Sequence, residues 1–279
     1  MDLTRFLGAD HAVKDSRVTL LGAPFDGTSS FRPGARFGPS SARTWSEVLE
    51  TYSPAFRKDL SDMKLADAGD ADTFAVPGWD AVSKTIRGRV RKVLSSGSRL
   101  LLIGGEHLVT LPAVEEHLKI YPDLAVLQMD AHLDLRDEHN GARYSHATVM
   151  RRVLDHVGKG RLFQYGVRSG TREEWELAEK ERTVVPDIAA LGGILKGRPV
   201  YLSVDLDVLD PSVMPETGTP EPGGITFREL GSAIYSLRDL DVVGADAVEY
   251  CPWPGGGGPS GAVAAKVLRE LAFLVGGDA

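Results

Sequence analysis

Short apolar runs alternate with amphipathic stretches along most of the chain. Between the runs, residues 79–94, 171–180 and 227–237 carry apolar side chains at helical spacing, and a last helix is predicted to begin near Ser260. Strands that alternate with helices are typical of a parallel sheet covered on both faces. The pattern therefore predicts an α/β fold. The predicted strands lie near residues 17–22, 63–66, 98–103, 124–129, 161–167, 182–185, 198–204 and 241–248.

The domain organisation follows from length and from the absence of any linker or internal repeat. The chain has 279 residues, which is long for one domain, but α/β domains often reach this length as single units. Hydrophobic residues make up 42% of the chain, enough for a large core. We therefore predict one domain over residues 1–279.

Composition and charge exclude several classes of protein. No apolar run approaches the length of a membrane span, and the first residues lack the basic and apolar regions of a secretion signal. The single cysteine, Cys251, rules out an intrachain disulfide and suits a reducing compartment. A net charge of -7 without a Lys/Arg stripe argues against nucleic-acid binding. These features predict a soluble, cytoplasmic protein without a nucleic-acid or membrane partner.

Metal-type side chains follow three of the predicted strands. In an open parallel sheet, such groups meet in the crevice beyond the carboxyl ends of the strands. Carboxylates and imidazoles without thiolates suit hard or borderline divalent ions, and six ligands are too many for one tetrahedral zinc. Two ions sharing the carboxylates would generate a hydroxide near neutral pH, which predicts hydrolysis. The six residues are His107, Asp130, His132, Asp134, Asp205 and Asp207.

The cluster Asp130, His132 and Asp134 has alternating spacing. In an extended segment this spacing places all three side chains on one face, where unpaired polar groups would be costly unless they share a ligand. We therefore prefer a metal site to an acidic loop. Asp210, which precedes Pro211, is interpreted as a turn residue.

Three short motifs follow the predicted strands at 98–103, 124–129 and 198–204. They are Gly104-Gly105-Glu106-His107, Asp130-Ala131-His132-Leu133-Asp134 and Ser203-Val204-Asp205-Leu206-Asp207-Val208-Leu209-Asp210-Pro211. Together they resemble the signature motifs of the ureohydrolases, the arginase and agmatinase family. The resemblance implies a three-layer α/β/α fold with an eight-stranded parallel sheet, a homo-oligomer (trimer or hexamer) and two Mn²⁺ per chain. It also implies that Asp130 and Asp205 bridge the ions, that His107 and Asp134 complete one, and that His132 and Asp207 complete the other.

The same resemblance implies catalytic roles for His146, Glu249 and Asp134. Glu249 follows the last predicted strand and would receive the substrate guanidinium, whose N–H donors match a carboxylate. His146 would help to protonate the departing amine, because imidazole titrates in the useful range. His139 could compete for this role, and Arg143 could pair with a substrate carboxylate.

The segment 32–39 (Arg-Pro-Gly-Ala-Arg-Phe-Gly-Pro) is similar to a string found in agmatinases, and Tyr144-Ser145-His146 favours the same subfamily. The resemblance implies manganese-dependent hydrolysis of a small cationic guanidino compound to urea and an amine. Agmatine, giving putrescine in polyamine biosynthesis, is the preferred substrate. Guanidinobutyrate, proclavaminate-type and arginine hydrolysis remain alternatives. A noncatalytic metal-binding relative and a single-zinc deacetylase on a related fold are less favoured, because the six-ligand set is complete.

Overall fold

A computed structural model describes residues 5–74, 76–255 and 257–277. Within these ranges seven strands form one parallel sheet in the order β4-β1-β5-β9-β8-β6-β7, and β2 and β3 pair separately. The strands are β1 (Val18–Ala23), β2 (Tyr52–Ser53), β3 (Lys58–Asp59), β4 (Leu65–Asp70), β5 (Arg99–Gly104), β6 (Ala125–Met129), β7 (Leu162–Tyr165), β8 (Pro199–Asp205) and β9 (Asp241–Val248).

Helices cover both faces of the sheet. Helices α1, α6, α7 and α8 contribute to one apolar cluster and α2 to α5 contribute to the other. In the described ranges, no helix is long and apolar enough to cross a membrane. The helices are α1 (Gly38–Ser46), α2 (Gly78–Ser95), α3 (Thr110–Leu118), α4 (Val149–Val157), α5 (Arg172–Glu181), α6 (Leu191–Ile194), α7 (Phe227–Ser236) and α8 (Ser260–Gly276).

Strand side chains divide between the two apolar clusters. Leu20 and Leu101 belong to the cluster under α8, whereas Leu21 and Leu102 belong to the cluster under α2 and α3. Because both faces are covered, central strands are apolar throughout rather than alternating, which explains the continuous apolar runs in the sequence. The predicted three-layer α/β/α fold is confirmed.

The sheet has seven strands instead of the expected eight, and the missing strand lies at one edge, beside β7. The eighth strand, predicted at 182–185, is reduced to a single parallel bridge between Gln164 and Val184. Arg182 has a left-handed φ of 57°, so the chain turns as it leaves α5. Pro186 then follows, and a residue without an N–H cannot extend the ladder. The segment is therefore too short to pair as a strand.

Gly105 holds three elements close together at the carboxyl edge of the sheet. Its N–H donates to Ala23 O (2.9 Å), and its carbonyl accepts from the Glu249 N–H (2.8 Å). A Cβ at this position would lie 1.9 Å from the Phe25 carbonyl oxygen. Glycine is therefore the residue that allows the segments after β1, β5 and β9 to meet.

We predict that Gly105→Ala lowers the free energy of unfolding by about 1–3 kcal/mol, because the added methyl group meets backbone rather than a movable side chain. Gly88→Ala in α2 is the matched control. A Cβ there meets nothing within 4 Å. It should stabilise the protein by up to about 1 kcal/mol through helix propensity. Urea unfolding of both variants checks the prediction, and a neutral Gly105→Ala would contradict it.

Candidate metal centre and active site

Three carboxylates converge on the buried ring of His107, which follows β5. His107 Nδ1 lies 3.0 Å from Asp130 Oδ2 and 3.2 Å from both Asp134 Oδ2 and Asp205 Oδ2. Asp130 follows β6 and Asp205 ends β8. Possible ligand atoms of His107, Asp130 and Asp205 all lie within 4.8 Å of one another. The structure thus brings together residues from three strand ends, as the sequence predicts.

A second group shares Asp130 with the first. His132 Nδ1 lies 3.0 Å from Asp207 Oδ2 and 3.5 Å from Asp130 Oδ1. Possible ligand atoms of Asp130, His132 and Asp207 also lie within 4.8 Å of one another. A carboxylate has two oxygens and can serve two neighbouring ions, so the shared Asp130 suits a pair of cations.

The hydrogen bonding of His107 indicates that a cation fits here. Its Nε2 lies 2.9 Å from Ser203 Oγ, and Ser203 donates to Asp246 Oδ1 at 2.6 Å. Because the serine proton goes to Asp246, Ser203 accepts from Nε2–H, so a neutral His107 ring has its lone pair on Nδ1. Nδ1 is buried, and among the described residues it has no hydrogen-bond partner. A lone pair facing carboxylate oxygens is stabilised by a positive ion between them.

Burial also sets the charge balance of this centre. It raises the pKa of Asp205 well above its usual range, and the charges of Asp207 and Asp130 add to the effect. It raises the pKa of Asp134 to about 7, with the charge of Asp130 adding. Neighbouring buried carboxylates do not all ionise readily, because their negative charges repel one another. A positive charge close to them is needed for all of them to be ionised.

Buried polar side chains hold Asp130 from behind. Gln128 Nε2 donates to Asp130 Oδ2 (2.5 Å), and Gln164 Nε2 donates to Gln128 Oε1 (2.5 Å). Thr183 Oγ1 then donates to Gln164 Oε1 (2.7 Å). This series of hydrogen bonds was not predicted from the sequence, and neither was the contact of Ser203 with His107. The available signal was a polar residue inside an otherwise apolar, buried strand, since such residues need partners.

The backbone turns sharply at two predicted site residues. Asp134 has φ 54° and Glu249 has φ 64°, both in the left-handed region. The segment after β6 is therefore not extended as far as Asp134, and the alternation argument for that residue was wrong. Asp134 reaches the centre from a left-handed turn, a conformation that is uncommon for residues with a Cβ but that aspartate adopts more readily than most.

Glu249 lies beside the metal-type cluster. Its Oε1 accepts a hydrogen bond from the His107 backbone N–H (2.7 Å), and the residue is buried. Burial raises the pKa of Glu249 well above its usual range, and the charge of Glu106 adds to this. A bound cation would favour the ionised form, so the site is suited to a positively charged group.

His146 lies in the 3-10 turn His146–Thr148, which leads into α4, and it faces the loop after β1. Its Nε2 is 3.2 Å from Ser30 Oγ, and its backbone N–H donates to Thr28 Oγ1 (3.1 Å). The ring of His139 packs edge-on against it, with centroids 5.5 Å apart. Burial and the neighbouring His139 lower the pKa of His146 to about 4. The ring is therefore neutral at physiological pH.

A cavity of about 280 Å³ opens onto this cluster. His139 lines the cavity, and Arg143 is not among its lining residues. The side chain of Arg143 is 62% exposed, and its Nη2 lies 3.7 Å from Asp155 Oδ2. The cation that lines the cavity is instead Arg136, which sequence reasoning missed. Arg136 directly follows the second metal-type motif, and that position was the available signal. The lining residues predicted from sequence are His132, Asp134, His146, Asp205 and Glu249.

Comparisons with known proteins agree with this geometry. The arginase family model matches residues 16–274. The chain belongs to the arginase family. It is a ureohydrolase enzyme, and its candidate metal ligands lie at the edge of the sheet described above.

Individual relatives cover nearly the whole chain. The chain is 40% identical to the agmatinase of Bacillus anthracis over 276 residues, which is 95% of this chain and 94% of the relative. Its fold matches the agmatine ureohydrolase of Thermoplasma volcanium with a TM-score of 0.84 and 32% identity, over 99% and 94% of the two chains. It also matches the proclavaminate amidinohydrolase of Streptomyces clavuligerus with a TM-score of 0.88 and 30% identity, over 99% and 98%.

Proposed function

We propose that this ureohydrolase uses two Mn²⁺ ions to hydrolyse agmatine to putrescine and urea. The observation that carries the proposal is the position of Asp130, which is shared by two ligand groups beside the cavity that Glu249 lines. The similarity to agmatinases supports agmatine as the substrate. A donor set dominated by oxygen favours manganese over softer metals.

The ligand assignment combines the two groups with the family resemblance. Asp130, which belongs to both groups, would serve both ions, and the resemblance gives Asp205 the same role. His107 and Asp134 would complete one ion, and His132 and Asp207 would complete the other. Bound ions of this kind lower the pKa of water and so supply a nucleophile at neutral pH.

Glu249 would hold the substrate guanidinium. Its backbone turn places the carboxylate in the cavity lining, where the planar fork of N–H donors of a guanidinium can pair with it. The pair would fix the carbon of the guanidinium next to the metal ligands. Orientation of this kind removes much of the entropic barrier of the reaction.

His146 would move a proton during cleavage. One water adds its oxygen to the guanidinium carbon, the bond from that carbon to the substrate nitrogen breaks, and both water protons finish on the departing amine. A neutral imidazole can accept one of these protons and pass it on. The lowered pKa of His146 keeps the ring in this neutral form.

A guanidino acid is the second candidate substrate, because Arg136 lines the cavity and could pair with a carboxylate. The charge of Arg136 is partly offset, however, since its Nε lies 3.4 Å from Glu174 Oε2. An agmatine tail therefore meets a pair of opposite charges rather than an isolated cation. We propose further that the chain forms one domain and a homo-oligomer. Its cytoplasmic location stays a prediction.

We predict that kcat/KM for agmatine exceeds the values for arginine and guanidinobutyrate in a manganese-dependent urea-release assay. Arg136→Gln should lower activity on the acids about 10–100-fold, as expected for loss of a charged hydrogen bond, and should spare agmatine. A clear lead for either acid, or no urea from any guanidine tested, would contradict the agmatine proposal.

We also predict that His146→Ala lowers kcat by about 10²–10⁴-fold, the usual contribution of acid–base catalysis. Its manganese content should stay unchanged, because His146 is not among the proposed ligands. His139→Ala serves as the comparison and should retain most activity. A larger loss in His139→Ala than in His146→Ala would reverse the two assignments, and metal loss in His146→Ala would make it a ligand.

A further inference from the structure

Asp134 has a left-handed backbone, and two hydrogen bonds hold the peptide group that follows it. Its carbonyl accepts a hydrogen bond from the Arg151 N–H at 3.0 Å, from the first turn of α4. The next peptide N–H, that of Leu135, donates to Glu174 Oε1 at 2.9 Å, on α5. A φ of 54° is uncommon for a residue with a Cβ, and although aspartate tolerates it, hydrogen bonds from the surroundings are needed to favour it over the extended form. These two bonds supply that restraint.

Glu174 makes more bonds than its place in the helix requires. It is the third residue of α5 and completes a capping box, in which Oε2 accepts from the Thr171 N–H at 2.8 Å. That cap uses one carboxylate oxygen. The other oxygen reaches outside the helix to Leu135, and the residue is only 4% exposed. The carboxylate thus ties the segment carrying Asp134 to the start of α5.

Helix α7 provides an internal comparison. It begins with the same capping box, in which Glu229 Oε2 accepts from the Thr226 N–H at 2.8 Å. Glu229 is exposed, and within the described part of the chain its carboxylate accepts hydrogen bonds from Thr226 alone. The second link that Glu174 makes is therefore not a general property of this cap.

We infer that Glu174 is a positioning residue for Asp134. Its carboxylate fixes the peptide that follows Asp134 and so keeps the Asp134 side chain turned toward His107, 3.2 Å away. This role rests on the proposed function, in which Asp134 is a metal ligand. Mutation of a partner that orients a metal ligand from behind typically lowers metal affinity or activity by about 10–100-fold.

The test compares Glu174→Ala with Glu229→Ala by Mn²⁺ titration calorimetry and by thermal unfolding of the metal-free proteins. Both variants lose a helix cap, so both should show a lower Tm. Glu174→Ala should also weaken binding of one Mn²⁺ by about 10–100-fold. Glu229→Ala should bind Mn²⁺ as the wild type does. Equal Mn²⁺ affinities in the two variants would overturn the inference and leave Glu174 as a cap alone.

Glu174→Gln covers the case in which Glu174→Ala does not fold. The amide keeps the shape of the side chain but has one acceptor oxygen for the two N–H donors of Leu135 and Thr171. Both Glu174 variants also remove the ion pair with Arg136, so Mn²⁺ binding is compared in an Arg136→Gln background. Weaker binding than in Arg136→Gln alone supports the inference, and equal binding overturns it. The proposed function fails separately: a wild-type chain that binds Mn²⁺ but releases no urea from agmatine refutes that substrate and leaves the positioning role intact.

Discussion

The mutual repulsion of buried carboxylates is the constraint on which this structure depends. Asp130, Asp134, Asp205 and Asp207 are each no more than 6% exposed, and they surround two imidazoles at the carboxyl edge of one parallel sheet. Burial and the neighbouring negative charges raise the pKa values of Asp134, Asp205 and Asp207, so the arrangement is opposed by its own charge. Positive ions between the carboxylates would offset this repulsion and would link folding energetically to metal binding.

Polar groups inside the sheet serve the same centre. Ser203 and Asp246 lie on neighbouring central strands and set the tautomer of His107, while Gln128 and Gln164 orient Asp130 from the other side. Each of these side chains hydrogen-bonds to the next, which compensates their burial. Side chains of the sheet thus orient His107 and Asp130 from behind, an arrangement that preserves ligand geometry.

Much of the fold and the grouping of the candidate metal ligands could be predicted from sequence because both depend on local pattern. The segments after β5, β6 and β8 carry these candidates within a few residues, and parallel strands bring those ends together. The turns at Asp134 and Glu249 could not be predicted, since a left-handed φ there comes from tertiary hydrogen bonds rather than from glycine. The choice between Arg136 and Arg143 likewise depends on how the loop after β6 folds.

Counting the manganese ions bound per chain tests the central claim most directly. The account predicts that elemental analysis of the dialysed wild-type protein gives two Mn²⁺ per chain, and that Asp130→Ala loses both, because this carboxylate belongs to both ligand groups. A fully active wild-type protein with one tightly held ion, or an Asp130→Ala variant that keeps both ions, would contradict it.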